Sequence, residues 1–323
     1  MQNIRLGGSG NPVFLSKIIL GTGAFGTSIP AEEAFRLLDR YLELGGSTLD
    51  TARVYGTWGP AGRAVSEETI GAWLHSRGSR SRVTLVTKGG HPPLSDMHRS
   101  RLSEPEIRND IEDSLRTLGT DRVELFLLHR DDVSRPVEEI VDTLDRLVKE
   151  GKTLAVGVSN WTAARIEEAN RYARSAGKAP LAVSQIQWSL ARTTPQRLGD
   201  TTLVCMDDGE YARYRQMGLP VMAYSSQAGG LFTKWLRGGE EALSEGMRRC
   251  YVNDENRRRL GRLTRFCRET GCPPSAAVLA YITHNPLPGA ALIGCSRLEQ
   301  LEDSLAGCDR RFTPEEMGLL RIE

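Results

Sequence analysis

With 323 residues, 39% hydrophobic and 26% charged, the chain has enough material for the core of one large α/β barrel and a solvated surface. Its 42 Lys and Arg against 41 Asp and Glu leave a formal charge of +1, which gives no electrostatic ground for nucleic acid or an anionic membrane as partner. No apolar run is long enough to span a bilayer, and the start MQNIRLGGSG lacks a signal-peptide core. The six cysteines (Cys205, Cys250, Cys267, Cys272, Cys295, Cys308) form no CxxC pair and no zinc spacing, which predicts reduced thiols, no metal and a cytoplasmic location, with a Cys267–Cys272 disulfide as the alternative.

Along the chain, Ile4–Ser16 reads first, as a hairpin around Gly-Gly-Ser-Gly-Asn-Pro that plugs one barrel mouth. Short apolar runs then alternate with helical periods. The strands are Lys17–Thr22, Ser47–Asp50, Val83–Thr87, Val123–Leu128, Leu154–Val158, Val183–Gln187, Val221–Ser225 and Ala290–Ile293. They are nearly continuous in apolar residues, as strands covered on both faces should be.

The helices are Ala31–Leu44, Ser66–Ser76, Glu104–Leu118, Pro136–Lys149, Thr162–Ser175, Asp254–Thr270, Pro274–Asn285 and Leu298–Ala306. Gly45–Gly46 and Gly119 end two of them, and the SEET at Ser66 reads as a capping box. Thr313–Arg321 is an extra C-terminal helix opened by Thr-Pro-Glu-Glu. Eight strands alternating with helices predict a (β/α)8 TIM barrel with an N-terminal β-hairpin plug, drawn as one domain over residues 1–323.

Gly21-Thr22-Gly23-Ala24-Phe25-Gly26 fits GxGxxG after a strand, and Asp50 ends the next strand. In a dinucleotide fold the helix begins inside that turn, so that its amides hold the pyrophosphate. Here Thr27-Ser28-Ile29-Pro30 intervene, so the glycines read instead as a tight turn that lets a ligand approach the backbone.

Three strand ends carry polar residues that a buried strand would not choose. Asp50 closes Ser-Thr-Leu-Asp, with Tyr55 a short loop later; Lys88 follows Val-Thr-Leu-Val-Thr; His129 follows Val-Glu-Leu-Phe-Leu-Leu. In a barrel every C-terminal strand end meets one rim, so the four converge. Reducing a carbonyl creates an alkoxide that needs a proton donor. Tyrosine, with an ordinary pKa near ~10, is a reluctant acid; a Lys88 ammonium would favour the phenolate and lower that value. Asp50 would hold Lys88, and His129 would orient the carbonyl oxygen. Singly, each residue reads as a cap, packing or surface group.

Asp50-Thr-Ala-Arg-Val-Tyr55-Gly56, Thr87-Lys88, Leu128-His129 and Gly157-Val-Ser159-Asn160 resemble the ordered signature of the aldo-keto reductase superfamily, over nearly the whole chain. The resemblance implies NADP(H) bound without a Rossmann domain and an Asp–Tyr–Lys–His catalytic tetrad. It also implies that Ser159, Asn160 and Gln185 hold the nicotinamide carboxamide and that Tyr224 stacks on the ring. By the same likeness Ser225, Ser226, Gln227, Gly229, Gly230 and Leu231 wrap the pyrophosphate, with Gly23 at the first turn. Gly294, Ser296, Arg297, Gln300, Asp303 and Ser304 form the adenosine-phosphate segment, Arg297 being the residue for the ribose phosphate. The family's basic residues are absent at Gly294 and Gln300, as is its asparagine at Ser304, which leaves use of NAD(H) open.

The substrate is a small carbonyl compound, and Phe25, Trp58, His91, Arg130 and Trp161 are its candidate pocket. Arg130-Asp131-Asp132 beside His129 suggests a polar, sugar-like carbonyl, or else a rim salt bridge. Ala61–Arg63 and Leu231–Asn253 read as lids. The alternatives are a cofactor-sensing interaction protein resembling potassium-channel β subunits, and a Rossmann dehydrogenase built on Gly21–Gly26. Self-association is not readable from the sequence.

Overall fold

The computed structural model describes residues 1–7 and 12–320. A hairpin comes first: β1 (Asn3–Leu6) pairs antiparallel with β2 (Val13–Ser16), Asn3 opposite Ser16 and Leu6 opposite Val13. Most of the predicted Gly-Gly-Ser-Gly-Asn-Pro turn lies outside the described residues. Eight parallel strands follow: β3 (Ile18–Gly21), β4 (Thr48–Asp50), β5 (Thr84–Gly89), β6 (Val123–Leu128), β7 (Thr153–Ser159), β8 (Leu181–Gln187), β9 (Val221–Tyr224) and β10 (Gly289–Ile293). Each pairs with the next, and β10 returns to β3, so the sheet closes into a (β/α)8 barrel.

The helices are α1 (Ala31–Glu43), α2 (Val65–Arg77), α3 (Glu104–Leu118), α4 (Val137–Lys149), α5 (Ala163–Ser175), α6 (Pro195–Leu198), α7 (Asp208–Met217), α8 (Leu231–Gly238), α9 (Glu245–Tyr251), α10 (Asp254–Thr270), α11 (Pro274–Thr283), α12 (Leu298–Leu305) and α13 (Pro314–Leu320). The sequence reading has no helix between β8 and β9 and none within Leu231–Asn253; α6 to α9 lie there. Helix α7 buries only Tyr214, so it leaves no apolar period to read. The SEET reading is also corrected. Helix α2 starts at Val65, one residue before Ser66, and no side chain caps it. Ser66 Oγ instead donates to the Thr22 carbonyl and bonds the hydroxyls of Thr22 and Thr51, tying two strand ends to the helix. Helix α13 does start as expected: the Glu316 carboxylate accepts from the Thr313 amide, and Thr313 Oγ1 accepts from the Glu316 amide.

Two cores follow from strand pleating. Leu20, Leu49, Leu85, Phe126, Leu128 and Val156 point outward and pack with helix residues such as Leu37, Ile70, Ile111 and Leu144. Ile19, Val86, Leu125, Leu127, Ala155, Val183, Met222, Ala290 and Leu292 point inward and fill the barrel. Ile4, Leu6, Val13 and Leu15 of the hairpin belong to this inner cluster. The hairpin is bound at the strand starts, where Lys17 N donates to Gln2 O and Thr84 Oγ1 donates to Phe14 O. It therefore seals the N-terminal mouth with apolar side chains. At Gly157 a Cβ would stand 2.5 Å from the Val183 carbonyl oxygen and 2.8 Å from Leu127 Cδ2, so only glycine lets this strand approach its neighbours.

Candidate active site

Side chains on a strand alternate between faces, so positions two apart share one. On β5 the inward residues are Val86 and then Lys88; on β6, Leu125 and Leu127, with His129 next in step. On β8, Val183 leads to Gln185; on β4, Asp50 ends the strand. The apolar filling thus gives way, at the C-terminal rim, to a layer of polar side chains.

That layer is tightly bonded. Lys88 Nζ donates to Asp50 Oδ2 at 2.7 Å and to the Thr51 carbonyl at 2.7 Å, and lies 3.4 Å from the Tyr55 hydroxyl. Gln185 Nε2 donates to the other Asp50 oxygen at 2.8 Å. Asp50 and Lys88 are buried. The Tyr55 ring stands edge-on to His129, with centroids 5.8 Å apart. The structure therefore gathers all four predicted side chains. Gly56, next to Tyr55, has φ +93°, and a Cβ there would lie 2.3 Å from Val65 Cγ2. This turn seats the tyrosine loop against α2.

Burial and charge set the protonation states. Burial pushes the Tyr55 phenol above its ordinary value; Lys88 pulls the other way without prevailing. The sequence expectation of a lowered value is corrected on this point: desolvation outweighs the cation. Burial alone would lower the Lys88 ammonium, but Asp50 and Tyr55 together raise it. His129 lies well below its ordinary range, first from burial and then from Lys88, His91 and Arg130, so it is neutral at pH 7. Its Nδ1 is sealed in without a partner. A stranded donor is the costlier choice there, so the proton is assigned to Nε2.

Beside this layer an elongated cleft of about 820 Å³ runs along the rim. Its lining includes Asp50 and Tyr55, Gly21 and Gly23. Of the predicted cofactor residues, Gly23, Tyr224, Ser225, Ser226, Gln227, Gly229, Gly230, Gly294, Ser296, Arg297, Gln300, Asp303 and Ser304 line it. Leu231 is fully buried. Ser159, Asn160 and Gln185 are buried beneath the rim, and Asn160 is already engaged: Nδ2 donates to His129 O and Ser159 Oγ, and Oδ1 accepts from the Tyr224 hydroxyl. Among the described residues, the non-glycine positions with positive φ are Asn160, Ser225 and Ala228. All three border this site, where strained backbone tends to cluster.

Sequence reasoning missed Lys234 and Arg237, which line the cleft from α8. Their spacing of three on a helix was the signal available, although such a pair usually marks a solvated face. With Arg297 they give the lining of the cleft three basic side chains. The GxGxxG reading is answered by position: Gly21 and Gly23 border the cleft, but α1 begins only at Ala31.

The predicted substrate residues divide. Trp58 is 54% exposed and edge-on to Tyr55. His91 packs edge-on to His129 at 4.7 Å. Arg130 is buried and paired with Asp200 at 3.2 Å, while Asp131 faces Arg165. Phe25 and Trp161 are completely buried, and Trp161 Nε1 donates to the Arg130 carbonyl; both are packing residues and form no pocket wall. All six cysteines are free thiols. No group of metal-ligating side chains occurs among the described residues, and none of their helices is long and apolar enough to cross a membrane.

Comparison with known proteins agrees with this geometry. The chain is 31% identical to an oxidoreductase of Bacillus subtilis, YrpG, over 99% of its own length and 95% of that protein's. It is 30% identical to a norsolorinic acid reductase of Emericella nidulans, over 94% and 76% of the two chains. It is 27% identical to an aryl-alcohol dehydrogenase [NADP(+)] of Phanerodontia chrysosporium, over 90% and 75%. The sequence model of the Aldo/keto reductase family matches residues 17–322, and with a closed barrel carrying Asp50, Tyr55, Lys88 and His129 at one rim, the chain belongs to that family.

Proposed function

We propose that this oxidoreductase is an NADP(H)-dependent carbonyl reductase acting on aldehydes, ketones or sugar-like compounds, with Tyr55 as its general acid. The observation that carries the reading is the buried Asp50–Lys88 pair, reaching half-buried Tyr55 beside neutral His129, at a cleft whose lining also carries Lys234, Arg237 and Arg297. A nicotinamide dinucleotide, when bound, supplies the hydride. The cleft suits such a group. Gly229 and Gly230, at φ +65° and +80°, leave the backbone bare beside it, and Lys234, Arg237 and Arg297 offer charge to phosphates. The Ser159 hydroxyl, which accepts from Asn160, keeps its proton to donate, and Gln185 Oε1 remains an acceptor for a carboxamide. Tyr224, fixed by its bond to Asn160, offers a ring to stack on.

The side chains then divide the work. His129 Nε2–H and the Tyr55 hydroxyl both donate to the carbonyl oxygen, so charge is stabilised as it develops. Tyr55 passes its proton to that oxygen, and the resulting phenolate is stabilised by the ammonium of Lys88, itself held by Asp50 and Thr51. The reading is tested by following NADPH oxidation against a panel of aldehydes, ketones and sugars; no consumption with any of them would refute it. The cofactor assignment has its own check. Arg297→Ala should weaken NADPH binding by about 10- to 100-fold, as expected for a lost charge-assisted pair, while NADH binding changes little. Unaltered NADPH affinity by fluorescence titration would remove Arg297 from the ribose phosphate.

A further inference from the structure

Two polar side chains beside His129 are left unused by this chemistry. His91 Nδ1 lies 2.6 Å from the Pro92 carbonyl, and a carbonyl only accepts, so Nδ1 carries the proton. The ring is neutral, since burial lowers it and Arg130 and Arg101 add to the effect. Nε2 is then a lone pair, with no protein partner among the described residues. Arg130 is also half committed. Its Nε–H donates to Thr202 Oγ1 at 2.9 Å, Nη1 to the His129 carbonyl at 3.0 Å, and Nη2 to Asp200 Oδ2 at 3.2 Å. A guanidinium has five N–H groups, so two remain. Asp200 and Thr202 are themselves bonded, which makes this a braced fork.

From this pair, and resting on the reductase reading above, we infer that His91 and Arg130 form a hydroxyl-recognition subsite, selecting carbonyl substrates that carry a hydroxyl on the carbon next to the carbonyl. A hydroxyl is the group that both donates to the imidazole lone pair and accepts from a guanidinium N–H. A carboxylate meets the two less well. It has no proton for His91, and the Arg130 charge is already balanced by Asp200. An unsubstituted aliphatic or aromatic aldehyde would cover both groups without satisfying either. The His91 and His129 rings pack edge-on with centroids 4.7 Å apart, which puts the subsite beside the oxygen that His129 would hold.

The test compares kcat/KM for glyceraldehyde, propanal and benzaldehyde with NADPH. Sites built to bond a substrate hydroxyl reject the analogue lacking it by up to about 10⁴–10⁵. With one neutral acceptor and one guanidinium making the distinction, glyceraldehyde should exceed propanal by about 10²-fold. In His91→Phe that ratio should fall by about 10-fold or more, chiefly through KM for glyceraldehyde. His91→Gln, whose amide oxygen restores an acceptor, should recover part of it. A wild-type ratio near one, a preference for benzaldehyde, or a ratio unmoved by His91→Phe would overturn the inference and leave the reductase intact. Absence of turnover with all three, and with the wider carbonyl panel, would overturn both.

Discussion

Tyr55→Phe should reduce carbonyl turnover by about 10²–10⁴-fold, the usual contribution of a positioned general acid, and leave NADPH binding within a few-fold of wild type. The substitution removes one oxygen and keeps the ring, so the edge contacts with Trp58 and His129 persist. The lost atom makes a single long approach to Lys88, 3.4 Å, and folding stability should hardly change. Nucleotide titration by fluorescence beside steady-state kinetics separates the effects. If turnover survives, the proton comes from elsewhere. The wild-type pH profile bears on the same point. A phenol raised by burial stays protonated through neutral pH, so the rate should remain level there. It should decline only above the ordinary tyrosine value near ~10, as the acid is lost.

Lys88→Met is the second large effect, and it strikes both chemistry and fold. Without the ammonium the phenol loses the one strong influence that lowers its pKa. The declining limb should therefore move further up in pH while the rate drops at every pH. Asp50 would keep its bond from Gln185 but stay buried without its counterion. Breaking a buried pair in this way costs about 3–5 kcal/mol, read as a shift in the urea midpoint. The sign of the pH dependence follows from the raised Lys88 value. Its contribution is fully present below the unfolded value near ~10.4 and fades as pH rises through the folded one. The gap between wild type and variant should be constant at neutral pH and narrow only in strong alkali. A variant with unchanged stability and an unshifted limb would show that Lys88 neither tunes Tyr55 nor supports Asp50.

The barrel was legible because parallel strands buried on both faces write long apolar runs. Three of the four rim residues stood out because Asp, Lys and His interrupt those runs at their ends, and Tyr55 because it follows Asp50 by a short loop. The pleat even specified direction: Val86 to Lys88 and Leu127 to His129 are steps of two. What escaped has physical causes. Helix α7 covers little core and so shows no period. Ser66 looks like a cap by sequence, yet its hydroxyl serves strand ends 44 and 15 residues away. Phe25 and Trp161 adjoin rim motifs, but the chain turns their rings into the core, and no local pattern reports that rotation. Asp200 meets Arg130 across 70 positions, and Lys234 and Arg237 acquire meaning only because the fold sets them along one cleft with Arg297.

The hairpin that closes the lower mouth leaves the ionised layer resting on a dry floor, with the open cleft to one side. Added salt reaches the two regions unequally, since mobile ions screen exposed charges far more than enclosed ones. Raising ionic strength should loosen the grip of Lys234, Arg237 and Arg297 on a phosphorylated ligand, while the Asp50–Lys88–Tyr55 relay feels little of it. A simple salt series would then raise the apparent KM for the dinucleotide and leave the saturated rate nearly level, separating capture from chemistry without altering a residue.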